Sequence, residues 1–199
     1  MAKLTRTNLW SLEEYSERRA EFRAQVMHHK KKRQVSLGEH LRLYFEDELT
    51  IRYQIQEMLR IEKVFDKEGI QDELDAYNPL IPDGTNWKAT MMLEYAEADV
   101  RREKVKELIG IEDKVWMQVE GCDKVYAIAD EDLERENEEK TSTVHFLRFE
   151  LNPSMIAASK HGAKIFAGAD HERYPVRKVR ISEDVAKSLI NDLADFAIN

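Results

Sequence analysis

Thr143-Val144-His145-Phe146-Leu147-Arg148-Phe149-Glu150-Leu151 is the stretch from which the fold is read. β-Branched and aromatic residues fill it, as they fill strands generally. Strand alternation puts Thr143, His145, Leu147, Phe149 and Leu151 on one face. Val144, Phe146, Arg148 and Glu150 fall on the other, so each face carries a polar group among large apolar ones.

Downstream, Asn152-Pro153-Ser154 opens a helix that His161-Gly162 stops near Lys160. Two weaker strands are expected around 164–166 and 176–181, and Ser182-Glu183-Asp184 caps a last helix ending near Leu193. Upstream, Val115–Val119 and Val125–Ala129 flank Gly121-Cys122-Asp123 and read as a hairpin. A charged helix over 99–109 is closed by Gly110, and Trp87 to Tyr95 reads as a strand. Asn78-Pro79-Leu80-Ile81-Pro82-Asp83-Gly84 is a rigid loop with two prolines. Helical period runs from Asp47 to Phe65, is broken at Gly69 and resumes over 70–77. Leu41, Leu43 and Phe45 alternate with Arg42, Tyr44 and Glu46 in a strand. Ser11-Leu12-Glu13-Glu14 is a capping-box start for a first helix reaching about Lys32.

Strands and helices are interspersed without strict βα alternation, which predicts an α+β fold: one mainly antiparallel sheet with helices packed on a face. The expectation is a single domain over 1–199; the alternative is a helical subregion 1–84 followed by a sheet-rich 85–199. The chain has 199 residues, 42% hydrophobic and 35% charged, enough for a core under a densely charged surface. A net charge of -8 disfavours indiscriminate binding to nucleic acid. The single cysteine, Cys122, can form neither an internal disulfide nor a cysteine zinc site, which fits a reducing compartment. No signal peptide pattern opens the chain and no apolar run nears the ~18 residues of a bilayer span, so a cytoplasmic protein without a membrane partner is expected.

Several constellations could carry chemistry. On the 49–65 helix, Ile51, Ile55, Met58, Leu59 and Phe65 form an apolar face with Glu62 near its middle. A carboxylate there needs a partner or a proton, so Glu62 is read as a metal ligand or an acid of raised pKa. The bland alternative is a structural ion pair, or a helix end where Glu62 reaches water. His145 could ligate a metal or carry a proton, though a lone histidine on an apolar face is more often a satisfied core residue. Arg148 suits a buried carboxylate bidentately. Convergence of Glu62 and His145 with Glu57 or Glu94 would make a carboxylate–histidine site for a divalent metal.

The loop with Asn78, Pro79, Pro82 and Asp83, followed by Trp87, is a candidate interaction element, against a merely structural connection with a core tryptophan. The cations of 28–33 read as a phosphate or nucleic-acid contact or, more simply, as helix C-terminal charges, which the acidic net charge favours. The acidic run 130–140 reads as a solvated face and lacks an EF-hand pattern. Walker, Gly-x-Ser-x-Gly and HExxH motifs are absent.

Three blocks carry a resemblance: Glu57-Met58-Leu59-Arg60-Ile61-Glu62, Glu73 through Gly84, and Val144 through Leu151. Over nearly the whole chain the sequence resembles an uncharacterised bacterial family, a domain of unknown function. Its genes often neighbour those for rubrerythrin and a heterodisulfide-reductase-like iron–sulfur subunit. The resemblance implies a place in redox or peroxide-stress metabolism, with a redox protein as partner. One cysteine and no pair of Glu-x-x-His motifs leave no iron–sulfur cluster or di-iron bundle to expect in this chain itself. The function expected is a non-catalytic accessory or binding protein of such a system. The alternative is a metal-dependent enzyme built on Glu62, His145 and Arg148.

Overall fold

The computed structural model describes residues 3–129 and 141–195. The acidic run 130–140 therefore lies outside the described residues. The fold is α+β, and the described residues form six α-helices and antiparallel strands that divide into two sheets.

Sheet A joins β1 (Gln34–Leu37), β2 (Leu41–Phe45), β3 (Asn86–Leu93), β7 (Val144–Glu150) and β6 (Ile128–Ala129) in the order β1-β2-β3-β7-β6. Sheet B joins β5 (Lys124–Tyr126), β4 (Val115–Val119), β8 (Ile165–His171) and β9 (Tyr174–Arg180) in the order β5-β4-β8-β9. β2 pairs with β3 across residue 84, so sheet A draws strands from both sides of that boundary.

Alternation decides what each face meets. Leu41, Leu43, Phe45, Trp87, Ala89, Met91, Leu147 and Phe149 point from sheet A into the main core. Val115, Met117, Val119, Ile165, Ala167 and Ala169 of sheet B complete it. The ends are closed by α4 (Ala98–Glu107), α5 (Pro153–Lys160) and α6 (Glu183–Ile190), which supply Val105, Met155, Ile156, Val185 and Leu189. Burial at roughly 25 cal/mol per Å2 of apolar surface drives this assembly.

α1 (Leu12–Lys30), α2 (Glu48–Glu62) and α3 (Lys67–Tyr77) form a separate layer with two small cores of their own. One gathers Ile51, Ile55, Leu59, Leu74 and Ile81, and the other Tyr15, Phe22, Val26 and Tyr53. Ser11 caps α1 by accepting the Glu14 N–H, and Asp47 caps α2 by accepting the Thr50 N–H. Lys63, at φ 57°, ends α2 in the left-handed region. The break thus comes at Lys63 rather than Gly69. Gly69 instead lies inside α3, where its N–H satisfies the capping carboxylate of Asp66.

Two further differences have physical reasons. β1 is only four residues long, too short for alternation to stand out. The 125–129 segment serves two sheets: Val125 pairs with Met117 in sheet B, whereas Ile128 pairs with Arg148 in sheet A. Among the described residues no helix is long and apolar enough to cross a membrane.

Candidate functional site

The structure sends the three central candidates to different places. Glu62 is the last residue of α2 and is exposed, because the helix ends before Phe65 can extend its apolar face; Phe65 is itself 79% exposed. This is the helix-end alternative. The acid facing Glu62 is Glu73, whose carboxyl is pushed up by burial and then by the charges of Glu62 and Asp72. Arg148 lies half-exposed on the helix-side face of β7 and pairs with Glu150 two residues along. His145 points the opposite way and is 3% exposed. Its Nε2 lies 2.8 Å from Thr141 Oγ1, 3.1 Å from the Ser142 carbonyl and 3.7 Å from Glu112 Oε2. It is a hydrogen-bonded core histidine.

Glu57 and Glu94 are equally committed elsewhere. Glu57 accepts from Tyr15 Oη (2.6 Å), from Arg19 Nε (2.7 Å) and Nη2 (2.9 Å), and from Arg60. The Arg19 hydrogen bonds hold its carboxyl down to about 2. Glu94 accepts from Tyr44 Oη at 2.8 Å and pairs with Arg42 at 3.3 Å. Among the described residues, no three histidine, cysteine, aspartate or glutamate side chains are grouped to hold a metal ion.

The candidate interaction loop is a brace. Asn78 is buried and exchanges two hydrogen bonds with the Leu4 backbone (2.8 and 2.9 Å). Pro79 offers its carbonyl to Lys88, Pro82 is buried, and Asp83 accepts from Thr85 and Asn86. Trp87 is wholly buried, and its indole donates to the Leu189 carbonyl at 2.9 Å, which leaves it no surface for a partner. Arg33, within the basic run, is buried too. It donates to the carbonyls of Phe45 and Glu46 and meets Asp192 at 2.5 Å and Asp47 at 3.3 Å. Burial, with the charge of Asp47 added, pushes the Asp192 carboxyl up to about 6 against the pull of Arg33.

What the structure does build is a cavity of about 410 Å3 where α1, α2 and α3 lie over the outer face of sheet A. Met27, Ile51, Tyr77, Leu80, Met92 and Phe146 give it apolar walls. Tyr44, Glu46 and Thr90 bring polar atoms from the sheet, and Lys30 and Gln54 from the helices. Glu46 is the unusual member, at 9% exposed. Its two carboxylate oxygens accept from Thr50 Oγ1 at 2.6 Å and Thr90 Oγ1 at 2.7 Å. Arg33 reaches its carbonyl and not its carboxylate. No cation pairs with the Glu46 carboxylate among the described residues. A carboxylate so far out of water is costly unless a positive or donating group meets it. The side chains of Lys30 and Gln54, half-buried in the same wall, make no hydrogen bond among the described residues either.

In sequence, Glu46 sits on the alternate face of the β2 strand and looks wet. Only the register Tyr44↔Thr90, with α2 laid across it, shows that this face is covered. The nearest sequence signal is the Asp47-x-x-Thr50 cap, which places the Thr50 hydroxyl one turn from Glu46.

Residues 3–193 match the family described as "Protein of unknown function (DUF3501)". The chain is also similar to a solved structure described as a novel protein of unknown function from Burkholderia pseudomallei K96243. The two are 56% identical, with a TM-score of 0.93, over 97% of this chain and 100% of that one. None of the curated proteins is similar to it.

Proposed function

The chain belongs to the DUF3501 family, and from that premise we propose that it is a non-catalytic accessory protein that binds a small, largely apolar molecule in the cavity between its helical layer and sheet A. The single observation behind this reading is the buried Glu46 carboxylate facing an apolar-walled space without a cationic partner among the described residues. Apolar walls with a few placed polar groups are the usual makings of a ligand site. The matching ligand has an apolar body and a cationic or hydrogen-bond-donating head for Glu46. No histidine, cysteine or serine lines the cavity among the described residues, and the Thr90 hydroxyl and Glu46 carboxylate are bonded to each other, which favours binding over turnover. The redox or peroxide-stress setting implied by the neighbouring genes remains part of the proposal, with the loaded protein serving a redox partner.

Calorimetric titration with hexylamine and with hexanoate tests the site. Saturable binding of hexylamine, lost in Glu46→Gln and in a Met92→Trp variant that fills the cavity, is the expected result. Equal or tighter binding of hexanoate, or hexylamine binding untouched by both variants, overturns it.

A further inference from the structure

A second pocket, of about 400 Å3, shares no lining residue with the first. It lies where α4 approaches the turn between β1 and β2 and the turn between β8 and β9. The two turns are clamped together. The Tyr174 hydroxyl accepts the N–H groups of His40 (2.8 Å) and Leu41 (3.2 Å) and donates to the Leu37 carbonyl at 3.0 Å. Gly38, at φ 75°, permits this approach, since a Cβ there would lie 2.7 Å from the same oxygen. The pocket is therefore held in shape before any ligand arrives, which lowers the entropic cost of binding.

Its walls are aromatic. The His40 ring stacks on Tyr95 with centroids 4.2 Å apart, and Tyr174 lines the same space. His40 Nδ1–H donates to the Glu94 carbonyl at 3.1 Å, which fixes the ring's orientation. Such surfaces favour a flat ring as occupant.

The charges at the pocket are sorted. Lys104 and Glu107 neutralise each other at 2.7 Å. The Arg173 charge also reaches Glu107, but neither its guanidinium nor the Glu97 carboxylate, both lining the pocket, comes within ion-pair distance of an opposite charge among the described residues. One unmatched cation and one unmatched anion beside an aromatic wall are complementary to a molecule carrying both charges and a ring.

We infer that this pocket binds an aromatic amino acid: its ring lies against His40 and Tyr174, its carboxylate meets Arg173, and its ammonium meets Glu97. The inference is independent of the cavity over sheet A.

The test compares L-phenylalanine, 3-phenylpropanoate and 2-phenylethylamine in titrations of the full chain followed by amide chemical shifts. L-Phenylalanine should saturate, and each singly charged analogue should bind about tenfold or more weakly. Arg173→Ala should remove the advantage of L-phenylalanine over 2-phenylethylamine, and Glu97→Gln its advantage over 3-phenylpropanoate. Both positions are exposed, so the variants keep the fold. Glu46→Gln should leave all three affinities unchanged, which separates this pocket from the other. Failure of L-phenylalanine to saturate up to its solubility limit, equal affinity for a singly charged analogue, or an advantage over the analogues that survives both pocket variants overturns the inference.

Discussion

The two faces of sheet A are made from the same strands and behave differently. The face toward sheet B carries Leu43, Trp87, Met91, Leu147 and Phe149 and is sealed against a second apolar sheet. The face toward the helices carries Tyr44, Glu46, Thr90, Met92 and Phe146, mixed in character. The helices above satisfy their apolar stripes largely against one another. They therefore roof this face without filling it, and a cavity is left beneath. A dry, interdigitated face stabilises; an incompletely filled face with polar anchors can recognise.

The contrast can be broken at four points. The largest effect belongs to the sealed face. Trp87→Ala should cost about 3–5 kcal/mol, because it leaves a large void and removes the indole's hydrogen bond to the Leu189 carbonyl. Urea unfolding would measure it, and a cost below that of a surface change would mean the inner face is not the stabilising one.

Next comes the seam, where Arg33 joins the end of β2 to Asp192. Burial pushes the Asp192 carboxyl up to about 6 in the folded chain, against ~3.9 in the unfolded chain. A native pKa raised above the unfolded one means the folded state holds the proton more tightly. The stabilisation from this group is then complete below about pH 4 and is lost as pH rises through about 6, on the order of 3 kcal/mol in all. Urea midpoints of the wild type and Asp192→Asn, taken from pH 4 to 7, should diverge in slope, with the wild type falling relative to the variant.

A smaller effect is expected on the helix-side face. Met92→Ala enlarges a space that already exists, so its cost should be about 1 kcal/mol or less. A loss as large as that of Trp87→Ala would show that both faces are packed alike.

The smallest effect lies within the helical layer. Arg19 depresses the Glu57 carboxyl to about 2, so its contribution is present above the unfolded value of ~4.3 and fades as pH falls toward 2. Because the pair is partly open to solvent, Glu57→Gln should cost about 1 kcal/mol or less at pH 7 and nothing near pH 2. Thermal melts at the two pH values decide it.

The same contrast explains what could be read in advance. The sealed face was legible because Leu41, Leu43 and Phe45, or Leu147 and Phe149, alternate cleanly, and the α+β class followed from it. The helix-side face was not legible. Whether Glu46 meets water depends on α2 crossing above Thr90, a tertiary fact that no spacing along β2 encodes. Glu62 was placed on an apolar stripe because helical period was carried through to Phe65; Lys63 in the left-handed region ends that period one residue after Glu62. Arg33 was hidden in a run of like charges, although its carbonyl and carboxylate partners are up to 159 residues away. Arg148 was assigned to a distant carboxylate, yet the nearest one, Glu150, lies on its own strand.

The stretch from Lys124 to Ala129 changes sheets partway along. Tyr126 pairs with Trp116, the Ala127 N–H still bonds the Val115 carbonyl at 2.8 Å, and Ala129 pairs with Leu147. A ribbon shared in this way ties the opening of one sheet to that of the other. The slowest amide protons of β4 and β7 should accordingly exchange with a common free energy, as one cooperative unit. The ligand proposed for the space under the helices would then act on a frame whose two halves report each other's loosening.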